Sequence, residues 1–250
     1  MARTYAAEAI ILNKRNFGEA DRLITFLSKY KGKFDGLAKG VRKVASRRGP
    51  NLDLLNHVNV YLARGKNFDV VVEVETIHTF KEAKEDLDKI SSGFHLLEIT
   101  NGFLEEGQGE TEIFNLLLGS LRRIEAGKDL FKSKETLRAF EIKFLAEVGF
   151  KPQLRQCVVC SREVNENNHL LSPELGGVLD KGCSTNSLLS KPISVEAIKL
   201  LRFLQKEDWE KINKLSISPF VFSELETHLK FYIEFLLEKE LKSVKYLQKI

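Results

Sequence analysis

The first eighty residues alternate between short apolar runs and turn residues, which is typical of β-strands. Apolar or alternating runs occupy residues 9–12, 23–27, 33–38, 58–62 and 68–74. The last run is the most β-branched stretch of the chain, and β-branched residues favour strands. Five strands in so short a segment predict a small closed barrel of the OB type, a fold that binds single-stranded nucleic acid through a positive groove and stacking aromatics.

From about residue 81 the apolar positions recur at helical spacing instead. Helical stripes run through residues 94–104, 113–124, 137–148, 198–204 and 222–236. Ser194 is placed to cap a helix over residues 195–206, and Ser218-Pro219 begins the longest predicted helix, which extends to about Leu241. The sequence therefore predicts an α+β, multi-domain protein, with an OB-fold nucleic-acid-binding domain at 1–80 and a helical domain at 81–250. A cysteine-rich insertion interrupts the helical domain at about 150–190.

The charge of the chain is concentrated in one short stretch. The formal net charge is +4, but residues 29–48 alone carry a net charge of +7, so the remainder is net negative. Such a concentration is expected of a loop that binds a polyanion, although a solvated face would have the same composition. Much of this stretch lies between the third and fourth predicted strands and ends in Gly49-Pro50, so we expect a loop there.

This basic stretch and its flanks supply the candidate nucleic-acid contacts. They are Arg22, Tyr30, Lys39, Arg42, Lys43, Arg47 and Arg48. Arg22 either pairs within the turn that precedes it or faces nucleic acid, whereas Asp21 beside it is expected to make a turn hydrogen bond. Phe17, Phe34 and Tyr61 are further possible stacking side chains, but a place in the barrel core is the simpler interpretation for each. Tyr30, in a predicted hairpin turn, is the aromatic residue for which stacking is favoured.

All three cysteines of the chain lie between residues 157 and 183. Cys157 and Cys160 form a Cys-x-x-Cys pair, and a second such pair about twenty residues later would complete a tetrahedral zinc site. Only Cys183 is present there, and Asp180 takes the remaining position. Either three thiolates and Asp180 bind Zn²⁺, or the site has weakened until the fold holds without metal. His169 lies in the same segment and is interpreted as an ordinary loop histidine rather than a substitute ligand.

Motifs for catalysis are missing from the sequence. None of the five histidines is followed by the His-x-Glu spacing of zinc deaminases, and no phosphate-binding or nucleophile-elbow motif is present. We therefore expect a protein that is not an enzyme; the rival interpretations are a zinc-dependent nucleic-acid enzyme and a helical adaptor that binds only protein. The sequence also contains no long apolar run or apolar leader, which favours a cytoplasmic location without membrane association.

Three stretches resemble the RecO family of DNA-repair and recombination-mediator proteins. The first contains Gly18-Glu-Ala-Asp-Arg22 and Leu37-Ala-Lys-Gly-Val-Arg42. The second runs from Leu137 to Gly149-Phe-Lys-Pro152 and into the cysteine pair, and the third ends with Glu240-Leu-Lys-Ser243. Together these stretches cover most of the chain in the order that the family shows.

The resemblance implies an N-terminal OB barrel, a helical domain and a zinc finger that is degraded in some members. It further implies binding of single- and double-stranded DNA, annealing of complementary strands, and cooperation with RecR to load RecA onto strands coated by single-strand-binding protein. The location implied is the nucleoid. The acidic C-terminal tail of single-strand-binding protein would need an apolar pocket with a basic rim. Candidate rim residues, each also interpretable as a solvated helix residue, are Arg122, Arg123, Arg138 and Lys143.

Overall fold

The computed structural model describes residues 4–43, 46, 48–127, 130–164 and 168–247. The chain divides into two compact units, one comprising residues 1–133 with 243–250 and the other residues 134–242. The first unit contains the barrel and the helices that follow it. The second contains the cysteine-rich insertion. None of the described helices is long and apolar enough to cross a membrane.

The first unit begins with a closed five-stranded barrel. Its strands are β1 (Thr4–Phe17), β2 (Asp21–Ser28), β3 (Gly32–Ala38), β4 (His57–Ala63) and β5 (Asp69–His78). They pair in the order β1-β2-β3-β5-β4, and all neighbours are antiparallel except β3 and β5. This confirms the predicted barrel, the hairpin turn between β2 and β3, and a loop between β3 and β4 that carries the last part of the basic stretch.

The long first strand closes the barrel because it pairs on both sides. Its first half pairs with β4 and its second half with β2, and the register with β2 shifts between Ile11 and Asn13. A shift of this kind bends a strand and increases its twist, which lets one strand reach two neighbours. The barrel axis is filled by apolar side chains, among them the stacked rings of Phe26 and Phe34, whose centroids lie 5.2 Å apart.

Three helices follow the barrel in the first unit. They are α1 (Lys81–Glu85), α2 (Leu87–Phe103) and α3 (Thr111–Ala126). Lys33 on β3 donates to the carbonyls of Asn101 and Leu104 at 2.8 and 2.6 Å, so a cation neutralises the negative end of α2. The short helix α8 (Val244–Leu247) belongs to this unit too. Just before it, the Ser243 hydroxyl lies 2.8 Å from His95 Nδ1 on α2, and the Ser243 backbone N–H donates to the α2 residue Glu98.

The second unit is helical with a small sheet inserted. Its elements are most of α4 (Leu130–Glu147), then β6 (His169–Ser172), β7 (Gly177–Asp180), a 3₁₀ helix (Lys181–Asn186), β8 (Lys191–Ile193), α5 (Val195–Lys206), α6 (Trp209–Ile212) and α7 (Pro219–Leu237). The Ser194 side chain accepts from the backbone N–H of Ala197, which confirms the predicted cap of α5. The predicted end of the longest helix at Leu241 is wrong. Helix α7 ends at Leu237 because Glu238 adopts a left-handed conformation, with φ of 53°.

Candidate nucleic-acid interface and metal centre

The loop between β3 and β4 is fixed at its start to the turn between β1 and β2. The Asp21 carboxylate accepts from the backbone N–H of Gly40 at 2.7 Å, and the Arg42 N–H donates to the Ala20 carbonyl at 2.9 Å. The Asp21 carboxylate thus bonds to the neighbouring loop and not, as the sequence had predicted, within its own turn. These contacts set the basic residues of the loop at one end of the barrel.

Three cations of this loop are exposed at that end of the barrel. Lys39, Arg42 and Lys43 are all solvent-exposed, and none of the three pairs with a carboxylate in the described part of the chain. The Arg42 guanidinium donates only a long hydrogen bond, 3.3 Å, to the Gly18 carbonyl. Three unneutralised like charges on so short a segment repel each other and favour a bound anion. We call Lys39, Arg42 and Lys43 the cationic loop.

Arg48 has a different environment from these three residues. Its guanidinium donates to the carbonyls of Val71 at 2.8 Å, Lys39 at 2.9 Å and, more weakly, Val72 at 3.4 Å. Because these bonds use both terminal nitrogens, Arg48 ties the loop to β5 and offers little to an external phosphate. Arg47, the other predicted contact here, lies outside the described residues.

Arg22 and Tyr30 lie at opposite ends of strand β2. Arg22 is half-buried next to the cationic loop, and its Nε lies 3.5 Å from the Asn16 side-chain oxygen. Tyr30 follows the far end of this eight-residue strand, so about 25 Å separate it from the β1–β2 turn. The Tyr30 side chain is 80% exposed, as the turn predicts, but the structure places it apart from the cationic loop.

The other aromatic candidates differ in their exposure to solvent. Phe34 is buried in the barrel core, and Tyr61 is half-buried with its hydroxyl 3.3 Å from the Glu75 carboxylate. Phe17, by contrast, is 43% exposed at the end of β1, and its ring meets that of Phe68 edge-on with centroids 5.8 Å apart. Phe68 was not among the aromatic residues predicted to stack. Its position in the turn before β5 was the feature of the sequence that could have identified it.

The three cysteines converge in the second unit. A tight turn returns the chain after Cys157, whose N–H donates to the Arg162 carbonyl and whose carbonyl accepts from Ser161. The β6–β7 hairpin then leads to Cys183 in the 3₁₀ helix that follows. The three sulfur atoms lie within 4.8 Å of one another. Thiolates around tetrahedral zinc lie about 3.8 Å apart, since each Zn–S bond is about 2.3 Å, so the three cysteines fit a zinc ion.

The thiols differ in how readily they ionise. Burial opposes ionisation of Cys157, but the backbone N–H groups of Cys160, Asp180 and Val159 stabilise its thiolate and together lower its pKa to about 7. Burial, followed by hydrogen bonding with the other two cysteines, raises the pKa of Cys183 to about 11. A metal ion held here would have to displace the proton of Cys183, since thiolates are the ligands.

The Asp180 carboxylate lies beside the cysteines but also contacts other side chains. One oxygen is 3.3 Å from Cys160 Sγ and 3.2 Å from Arg162 Nε, and the other is 3.4 Å from His169 Nδ1. Arg162 Nε is also 3.3 Å from Cys160 Sγ. The prediction that His169 is a loop residue is wrong, because His169 is buried on β6. Arg162, two residues beyond the Cys-x-x-Cys pair, was not predicted from the sequence. Its positive charge favours the ionised forms of the neighbouring Cys160 and Asp180 side chains.

The residues proposed for an acidic partner tail do not form one site within either unit. Arg122 is exposed and Arg123 half-buried on α3 in the first unit, and burial lowers the pKa of Arg123. Arg138 and Lys143 belong to the second unit.

Two of these four side chains have partners within the second unit. Arg138 is only 4% exposed and pairs with Glu141 at 3.2 Å, so its interpretation as a solvated residue is wrong. Lys143 donates to the Glu207 carbonyl at 2.7 Å, 6.0 Å from the centre of the Trp209 ring.

A closed barrel with the strand order β1-β2-β3-β5-β4 has the architecture of the OB fold. The family models named Recombination protein O N terminal and Recombination protein O C terminal match residues 1–80 and 84–245. The chain therefore belongs to the RecO family of DNA-repair and recombination proteins, which confirms the resemblance seen in the sequence.

Relatives of this family align with nearly the whole chain. A DNA repair protein RecO from Roseiflexus sp. is 34% identical over 99% of this chain and 86% of the relative. Another, from Dehalococcoides mccartyi (strain ATCC BAA-2100), is 35% identical over 98% of this chain and 96% of its own length. A third, from Desulforamulus reducens, is 31% identical over 99% of this chain and 95% of the relative.

Proposed function

We propose that this protein is a non-catalytic recombination mediator that binds single- and double-stranded DNA through its barrel. The observation that supports this most strongly is the cationic loop of Lys39, Arg42 and Lys43, which is held at the barrel end without carboxylate partners in the described residues. Cations in this arrangement neutralise phosphates and release counterions from the nucleic acid. Arg22, next to the loop, and Arg47 are further candidate contacts.

Annealing of complementary strands follows from the same electrostatics. Two DNA strands repel each other through their phosphates. A surface that neutralises part of the phosphate charge on both strands lowers the electrostatic barrier to their association. Neither step requires a general acid, a base or a nucleophile. Family membership supports the further proposal that the protein acts with RecR to load RecA onto strands coated by single-strand-binding protein, at the nucleoid in the cytoplasm.

The cysteine cluster has a structural part in this proposal. Cys157, Cys160 and Cys183 would hold Zn²⁺, with Asp180 as the fourth ligand, and the ion would cross-link the turn after α4 to the β6–β7 hairpin. For the acidic tail of single-strand-binding protein, Arg122 is the most accessible of the four cations considered. Arg123, Arg138 and Lys143 are more enclosed.

A salt titration tests the DNA-binding proposal. We expect the triple variant Lys39→Ala, Arg42→Ala, Lys43→Ala to bind a labelled single strand more weakly in fluorescence anisotropy. The slope of log affinity against log salt should fall by about 2, since each phosphate contact contributes about 0.7 for a single strand. A control that removes the same charge from exposed positions of the second unit is Lys199→Ala, Lys206→Ala, Lys239→Ala.

The outcomes separate the rival functions. An unchanged slope in the cationic-loop variant would refute the loop as the binding site. No binding by the wild-type protein would favour an adaptor that contacts only protein. A strand-annealing assay with two labelled complementary oligonucleotides then tests mediation, where we expect the triple variant to anneal more slowly than the control.

A further inference from the structure

The pair of rings formed by Phe17 and Phe68 is not explained by packing of the barrel core. Phe17 is the final residue of β1, and Phe68 directly precedes β5, so the contact joins two segments that are 51 positions apart in sequence. The core has its own aromatic pair, Phe26 and Phe34, inside the barrel. Phe17 instead stays 43% exposed. Phe17 is therefore an exposed ring that packs edge-to-face against Phe68 and is not part of the barrel core.

The geometry of the pair leaves aromatic surface available to a ligand. The two ring planes are 78° apart, which is an edge-to-face arrangement. In such a pair, the ring that presents its edge keeps both faces outside the contact, and the other ring keeps one. A flat heterocycle stacks on a free face of this kind. The partner ring fixes the orientation, so little conformational entropy is lost when a ligand binds.

The aromatic pair and the cationic loop are neighbours in the fold. Gly18, the residue after Phe17, accepts a hydrogen bond from the Arg42 guanidinium, and the carbonyl of Ala20 accepts from the Arg42 backbone N–H. Arg42 therefore lies beside the turn that directly follows Phe17. A site that places phosphate-binding cations next to a stacking ring matches the alternation of phosphate and base along a single strand.

We propose that Phe17, oriented by Phe68, is a stacking platform for unpaired bases and that this ring makes the barrel bind single-stranded DNA more tightly than duplex DNA. The proposal rests on the DNA binding proposed above for the cationic loop. The bases of a duplex are already stacked on each other and cannot reach the ring, whereas the phosphates of both forms can reach the cations. The ring thus distinguishes two ligands that the charges bind alike.

Two substitutions at one position separate stacking from simple apolar contact. Phe17→Leu keeps an apolar side chain but removes the aromatic face, and Phe17→Tyr keeps the face. We expect Phe17→Leu to bind an oligothymidylate about 5- to 150-fold more weakly, the range for loss of one base–aromatic stack. Its affinity for a blunt duplex should change less than about two-fold, and Phe17→Tyr should bind like the wild type. Phe220→Leu, which removes an exposed ring from the second unit, is the control.

A spectroscopic measurement detects the stack directly. In a Trp209→Phe background, which removes the single native tryptophan, Phe17→Trp places the only indole on the proposed platform. We expect its emission to be quenched by oligothymidylate and much less by duplex. Equal loss of single-strand and duplex affinity in Phe17→Leu, or no loss, would overturn the proposal, as would unquenched emission at saturating oligothymidylate. If the cationic-loop variant also binds normally, the proposed DNA-binding site itself has failed; if that variant alone is weakened, only the platform has failed.

Discussion

Replacement of Arg48 by alanine removes the clamp that joins the cationic loop to β5. Two of its hydrogen bonds are short, 2.8 Å to the Val71 carbonyl and 2.9 Å to the Lys39 carbonyl. Hydrogen bonds from a charged donor contribute about 1.5–3 kcal/mol each, and this side chain is only half-buried, so we expect a loss of about 2–4 kcal/mol. For a chain of this size, at about 2 °C per kcal/mol, that loss lowers the melting temperature by about 4–8 °C.

Arg48→Lys tests the reason for that loss. Lysine keeps the positive charge but has no planar fork that reaches two carbonyls on different segments. We therefore expect Arg48→Lys to recover less than half of the lost stability in thermal unfolding followed by circular dichroism. Lys66→Ala removes an exposed cation elsewhere on the barrel, and its free energy of unfolding should lie within about 0.5 kcal/mol of the wild-type value. Full recovery by Arg48→Lys would show that charge, not the bidentate clamp, is what matters at this position.

Substitutions at two more positions probe the metal centre and the barrel interior. Asp180→Ala should lower the zinc content of the purified protein, measured by elemental analysis, and Asp180→Cys should raise its affinity for zinc; equal content in all three proteins would remove Asp180 from the ligand set. Gly36→Ala should destabilise the barrel by about 1–3 kcal/mol in a denaturant titration, because a Cβ there would lie 3.1–3.2 Å from Phe26, Leu62 and Val71. Wild-type stability would mean that these side chains move aside freely.

The strands and the basic loop could be predicted because their signals are local. Alternation and β-branched residues mark β4 and β5, and the charge of residues 39–43 is visible without a structure. The position of Tyr30 could not be predicted in the same way. It is only nine positions before Lys39, yet the intervening strand β3 carries the chain to the other end of the barrel.

The contacts that decide the roles of individual side chains are long-range. Arg48 differs from Arg42 because of carbonyls on β5, more than twenty positions away, and no local pattern records them. The pairing of Phe17 with Phe68 requires the barrel to close first. Arg138 has the composition of a surface helix residue, but burial next to Glu141 removes it from water. Sequence periodicity identifies elements, whereas these roles depend on which elements meet.

The bonding of Ser243 to α2 has a consequence for synthesis on the ribosome. The second compact unit, residues 134–242, is continuous in sequence, so it can fold as soon as it has emerged. The first unit is complete only when Ser243 has emerged, and the partners of Ser243, His95 and Glu98, were translated almost 150 residues earlier. A nascent chain that stalls before residue 243 would therefore contain a finished second unit and an incomplete first one, although the first was made earlier.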